Sequence, residues 1–144
     1  MGETKQIARR VIDELFSQGR FELLDDLVAP SWVGHDIAMP EPTQGRDGLK
    51  QVASGYRSAF PDLRVEIDRQ LADGELVCTC WTARGTHHGE LFGIAPTGKQ
   101  ATVTGVTIDR FTSGRIVESW TTWDVLGLMQ QLDAVKTPMA AGAL

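Results

Sequence analysis

The chain has 144 residues, 42% of them hydrophobic, and a formal net charge of -5. A chain of this length buries roughly 70% of its unfolded surface, enough for one core and a ligand cavity. The acidic balance excludes the basic stripe that nucleic acid needs, and no apolar run reaches the about 18 residues of a membrane span, so neither nucleic acid nor a membrane is an expected partner.

The opening, MGETKQIARR, runs straight into helical periodicity without the apolar stretch of a secretory signal, and the expected location is cytoplasmic. Ile7, Ala8, Val11, Ile12, Leu15 and Phe16 repeat at helical spacing opposite Arg9, Arg10, Asp13 and Glu14, which predicts an amphipathic helix ending at Gly19. A second, short helix carries Phe21, Leu24, Leu27 and Val28 and is stopped by Pro30. Trp32-Val33-Gly34-His35-Asp36 and an irregular proline-containing segment follow. A third helix from about Arg46 sets Leu49, Val52, Ala53, Tyr56 and Phe60 on one side and ends at Pro61.

The period then changes to two. Leu63, Val65 and Ile67 alternate with charged residues, Asp73-Gly74 signals a hairpin, and a long strand runs from about Glu75 to His87. Cys78 and Cys80 share one side of it and read as free thiols, because a same-strand bridge needs distorted geometry and a lone C-x-C is no zinc pattern. After a loop over His88–Gly98 come two antiparallel strands joined at Thr112-Ser113-Gly114, then a short helix capped by Asp124. Helices first and strands after predict an α+β fold: a cone-shaped, curved antiparallel (mixed) sheet, with three N-terminal helices over its concave face and a short C-terminal helix. The whole reads as one domain at 1–135, with a small, fraying tail at 136–144. The concave space is the expected site for a small apolar or aromatic ligand.

The residues also carry a resemblance. G-R-F-E-L-L-D-D-L-V-A-P, W-V-G-H-D, A-F-P-D-L-R-V, G-T-H-H-G-E-L-F-G-I-A-P-T-G-K, G-R-I-V-E-S-W and W-D-V-L-G-L-M-Q-Q-L, in this order, resemble the SnoaL-like polyketide cyclase branch of the nuclear transport factor 2-like superfamily. The resemblance implies a small homodimer, paired through its sheet, with a single apolar pocket. Characterised relatives include aldol cyclases, cofactor-free hydroxylases, isomerases and epoxide hydrolases. The cyclases of that family use a His on the penultimate strand and an Asp on the last, without metal or cofactor. Those positions fall here on Thr107 and Thr121, whose hydroxyls can donate or accept hydrogen bonds but cannot act as unaided bases near neutral pH. The expected activity is proton transfer on a polycyclic or polyketide-type ketone or phenol (cyclisation, isomerisation or oxygenation). The alternatives are a ligand-binding protein without turnover, or an epoxide hydrolase.

With Thr107 and Thr121 unable to act as bases, the candidate proton carriers are His35, at the pocket rim by resemblance, and Asp109. Asp36, next to His35, points the other way in an extended segment and reads as a loop or interface hydrogen-bonder. By alternation Thr107, Asp109, Ser119 and Thr121 share a face with Val103, Phe111, Val117 and Trp123, an apolar surface with a polar centre. In that place Asp109 would have a raised pKa; the alternative bonds it to Arg110, Arg115 or the turn. Of His87 and His88 at most one faces inward, and His87 is the candidate. Arg84 is either a surface charge or an inward anchor for an oxyanion. Trp32, Trp81, Trp120 and Trp123, with Tyr56, Phe60 and Phe92, are the expected flat walls, with core or dimer packing as the alternative, above all for Trp120; Trp123, Phe60 and Phe92 are the better placed to touch a planar substrate.

Overall fold

The structure, a computed structural model, describes residues 2–135; the expected tail at 136–144 lies outside the described residues. In chain order the elements are α1 (Gly2–Arg10), continued by a π-helical segment (Val11–Ser17), a 3-10 turn (Phe21–Leu23), α2 (Leu24–Leu27), β1 (Val28–Asp36), β2 (Thr43–Gln44), α3 (Gly45–Ala59), β3 (Arg64–Asp73), β4 (Leu76–Thr86), β5 (Gln100–Thr112), β6 (Arg115–Trp123) and α4 (Val125–Gln131). The strands form one curved sheet in the order β2-β1-β6-β5-β4-β3. All neighbours are antiparallel except β1 and β6, which run parallel. The fold is α+β, as the succession of periods implied.

The first helix is longer than α1 alone. Its π-helical continuation sets Val11 and Phe16, five residues apart, on the side that lines the interior cavity. Helix ends leave carbonyls without partners. Here Arg57 of α3 reaches across, its Nη1 donating to Phe16 O at 2.8 Å and Ser17 O at 2.7 Å. That arginine thereby fixes α3 against the first helix, and the two together roof the sheet.

Two expectations change. Val28 belongs to β1, not to the second helix, and is extended, with φ -124° and ψ 134°; Pro30, expected to stop that helix, lies within the same strand. Pro30 is exposed and has no N–H for a ladder, and the pairing of β1 with β6 is interrupted between Val28 and Val33. On β6 the register slips between Arg110 and Phe111, so that Phe111 pairs with Ile116 and Val117 is the bulged residue. Ile116, only 1% exposed, therefore takes the inward place that strict alternation gave to Val117. The β5–β6 hairpin closes as expected through Ser113 (φ 52°) and Gly114 (φ 79°), both left-handed as a two-residue type I′ turn requires.

The core falls into two clusters. One joins Leu15, Leu24, Leu27 and Val28 to Val77, Phe111 and Ile116; the other joins Phe60 and Leu91 to Val103, Leu128 and Leu132. The cavity has walls in both. Asp124 caps α4 by accepting from Gly127 N at 2.9 Å, as expected. Among the described residues no helix is long and apolar enough to cross a membrane.

Candidate active site

Strand register builds the floor of the cavity. Two rows cross the sheet: Gly34, Ser119, Asp109 and Val77 lie side by side, as do Asp36, Thr121, Thr107 and Thr79. The β1, β5 and β6 members of both rows line a cavity of about 170 Å³, which Phe16, Val52, Tyr56 and Phe60 roof from the helices. Its wall is mostly aromatic and aliphatic, so each polar group on the floor sits in a poorly solvating environment.

Three indoles settle most of those polar groups. Trp32 Nε1 donates to Ser119 Oγ at 3.0 Å, Trp81 Nε1 to Thr107 Oγ1 at 3.0 Å, and Trp123 Nε1 to Asp36 Oδ1 at 2.9 Å. Trp32 and Trp81 lie close over the floor because the strands offer them glycine. A Cβ at Gly34 would stand 2.2 Å from the Trp32 ring, and one at Gly105 would stand 2.4 Å from the Trp81 ring. Only a residue without a side chain allows the backbone so near an aromatic ring.

Asp109 is 4% exposed. Ser119 Oγ, fed by the Trp32 indole, donates to Asp109 Oδ1 at 2.5 Å. Burial pushes the Asp109 carboxyl up to about 7, and the serine hydrogen bond offsets only part of that. Arg110 and Arg115 do not hold it. Arg110 instead meets Glu118 on the opposite face at 3.1 Å. The cavity thus contains a carboxyl poised between its two protonation states near neutral pH, a condition suited to general acid–base work.

Asp36 is the second carboxylate of the wall. Its Oδ2 accepts from Tyr56 OH at 3.0 Å while its Oδ1 takes the Trp123 indole. Tyr56 is kept a phenol, its pKa raised first by burial and then by the Asp36 charge and hydrogen bond. The tyrosine ring stands edge-on to both Trp123, at 5.9 Å, and Phe92, at 6.3 Å.

Thr107 Oγ1 and Thr121 Oγ1 are 3.1 Å apart. Each hydroxyl has one hydrogen, and only one of the two can lie between the oxygens. Whichever threonine donates, the other O–H remains for a further acceptor.

Several sequence-derived placements are corrected. His35 does not face the cavity. With Trp32, Gly34 and Asp36 inward, alternation turns His35 outward, where it stacks on Trp120 at 5.7 Å and its Nε2 lies 2.7 Å from Glu118 Oε2. Glu118 is held below its usual carboxylate range by His35 first and Arg110 second. Arg84 touches the cavity wall, but its guanidinium points to solvent and bonds Glu66 at 3.0 Å. His87 is fully buried, yet it sits behind the wall, packed on Phe60 at 5.5 Å and bonded through Nδ1 to Thr97 Oγ1 at 3.0 Å. Thr97 N also donates to that Nδ1, at 3.2 Å, which puts the ring proton of the neutral imidazole on Nε2. Phe92 lines an outer groove rather than the cavity. Sequence reasoning missed Asp36 as a floor member, while Trp81 lines the cavity as one of its aromatic walls. The signal was available: Asp36 has the parity of Trp32, which lines the cavity. Among the described residues no three His, Cys, Asp or Glu side chains converge as a metal site.

The family profile of SnoaL-like polyketide cyclase matches residues 6–132. Among solved structures the chain is similar to IdmH of Streptomyces antibioticus, a candidate polyketide cyclase, at 32% identity and a TM-score of 0.78 over 90% of this chain and 98% of that one. A candidate polyketide cyclase of Acidithiobacillus ferrooxidans gives 32% identity and a TM-score of 0.80 over 92% and 95% of the two chains. AclR of Streptomyces galilaeus, a candidate hydroxylase, shares the fold at 24% identity and a TM-score of 0.82 over 95% and 85%. A sequence comparison with curated proteins gave no match.

Proposed function

Because the chain belongs to the SnoaL-like polyketide cyclase family, and because its cavity buries one titratable carboxyl, we propose that it is a cofactor-independent enzyme that moves a proton on a cyclic ketone or phenol, with Asp109 as the proton carrier. The observation that carries this reading is Asp109 itself: enclosed, bonded to Ser119, and brought by burial to about 7.

The threonine pair supplies the second part. Residues two apart on one strand face the same way at roughly 7 Å. A carbonyl oxygen bonded to the spare Thr107/Thr121 hydroxyl therefore places its α-carbon toward Asp109. The ionised carboxylate takes the α-proton, the C–H electron pair moves into the enolate, and the hydroxyl stabilises the oxyanion that forms. Where a conjugated double bond of the substrate extends the enolate, return of the same proton to its far carbon shifts that double bond and gives isomerisation. Attack of the enolate carbon on a second carbonyl of the same molecule, with the proton delivered to the new alkoxide, gives cyclisation. Either way Asp109 ends as it began. The apolar walls hold the ring and keep water from the carbanion.

A second reading, a binding protein without turnover, is favoured by the threonines standing where the family's acid and base would be. Deuterium incorporation from D2O at the α-carbon of 2-tetralone separates the two. An enzyme of this kind accelerates the exchange, and Asp109→Asn lowers it by roughly 10²-fold or more; unchanged exchange in that variant leaves the binding reading.

The expected homodimer through the sheet has its support on the outer face. Ile108 and Trp120 are 37% and 38% exposed, and Ile108 pairs with Cys78 on one side and Trp120 on the other. An apolar stripe of this kind suits a second copy of the chain.

A further inference from the structure

The cavity is small for a substrate of this family's kind. Its volume of about 170 Å³ compares with an engineered cavity of about 150 Å³ that admits benzene, and falls below the roughly 300 Å³ of common ligand pockets. Outside it lies a groove of about 550 Å³ between α3 and the loops on either side. The two adjoin: Thr43, Val52 and Tyr56 line both. Tyr56 stands at the divide, with its hydroxyl on Asp36 and its ring edge-on to Trp123 of the cavity and Phe92 of the groove.

The groove has its own character. Met39, Leu91 and Phe92 give it apolar surface, Gln44 and Gln51 give it neutral amides, and Glu90 is its acidic member. Among the described residues no lysine or arginine lines it. Phe92 is 44% exposed and holds a left-handed φ of 50° in the turn closed by Leu91 and Ile94. That conformation is costly for a residue with a Cβ, and it keeps an apolar ring on the groove edge.

We infer that the groove is a second compartment of the ligand site, which takes a neutral, oxygen-bearing extension of a molecule whose ring fills the cavity, with Tyr56 marking the passage between them. This rests on the ring-in-cavity placement proposed above and adds the shape and charge of the rest of the ligand. An extension ending in a carboxylate or phosphate meets Glu90 and no cation there, whereas hydroxyls and ethers find the glutamine amides.

Gly55 gives a clean way to close the groove. It lies on its wall, and a Cβ built there meets nothing within 4 Å. Leucine at that helical position fills the groove and raises helix propensity, so folding is not at risk. The probes are 2-naphthol, 2-naphthol with a hydroxyl-ended diether chain on carbon 6, and the same compound with the chain ended by a carboxylate, each titrated calorimetrically. For the wild-type protein the neutral chain tightens binding by roughly tenfold over 2-naphthol, and the carboxylate chain does not. In Gly55→Leu that gain disappears while 2-naphthol binds as before. An equal gain in both proteins, no gain in the wild type, or equal affinity for the two chain ends overturns the proposal, as does a wild-type protein that fails to bind 2-naphthol. The readout is affinity, so failure of Asp109 as a proton carrier shows in the exchange rate and not here.

Discussion

Asp109 and Ser119 face each other across β5 and β6, the serine hydroxyl donating to the carboxyl at 2.5 Å while the Trp32 indole occupies the same hydroxyl from the other side. One hydrogen bond inside an apolar cavity does not replace the hydration of a carboxylate. The neutral acid is therefore favoured by folding, and the consequences can be measured.

The first concerns stability. Asp109 titrates at 3.8 when unperturbed and at about 7 when folded. Between those values the folded chain binds more protons than the unfolded one, so stability falls as pH rises through that window. The contribution is fully present below about pH 4 and is lost above about pH 7. Asp109→Asn removes this dependence. Relative to wild type it gains on the order of a few kcal/mol on going from pH 5 to pH 8. Urea midpoints at the two pH values measure it, and parallel shifts in both proteins count against the placement of the charge.

A base must be ionised to act. α-Deuterium exchange of 2-tetralone should therefore rise with pH through about 7 and level off above it. Thr107→Val and Thr121→Val each remove a member of the 3.1 Å hydroxyl pair. They should slow exchange by roughly 10- to 10²-fold while leaving the pH midpoint in place, because they act on the oxyanion and not on the base. A midpoint that moves with the threonines would assign them to the titrating group.

The close approach of indoles to the floor predicts intolerance at two glycines. Gly34→Ala and Gly105→Ala press a methyl into Trp32 and Trp81, at 2.2 and 2.4 Å from ring atoms. Each should cost about 1–3 kcal/mol, the usual range for overpacking a filled site. Tryptophan fluorescence should report displaced rings in the same variants. Wild-type melting temperatures with unchanged emission would show that the rings have room to move.

The outer face predicts the assembly. Ile108→Glu puts a charge in the middle of the Cys78–Ile108–Trp120 stripe, where each member is paired laterally with the next. Sedimentation should show a dimer for wild type and a monomer for the variant, with the fold retained because Ile108 is already 37% exposed. A monomeric wild type, or a variant that still dimerises, assigns the stripe no such role.

Period and turn signals made the sheet legible, and strand parity alone put Asp109, Ser119, Thr107 and Thr121 on one face. Parity failed where the strands are irregular. The bulge at Val117 exchanged it with Ile116, and no residue pattern announces a bulge of that kind. His35 is a different case. Trp32 and His35 differ by three positions, so a strand that turns the indole inward turns the imidazole out. The expectation followed the chemistry of the residue type over the geometry of the strand, and Asp36 was the inward neighbour. The cap of the first helix by Arg57 and the glycine seats for Trp32 and Trp81 depend on contacts between segments far apart in the chain, beyond the reach of local pattern.

The central claim is that one carboxyl in the cavity titrates near neutral pH. Carbon-13 spectra of protein labelled at the aspartate side-chain carboxyls, followed from pH 3 to pH 9 in wild type and Asp109→Asn, test it directly. One resonance should titrate at about 7 and be missing from the variant. If the resonance lost in Asp109→Asn titrates near 4, the proton carrier has been assigned to the wrong residue.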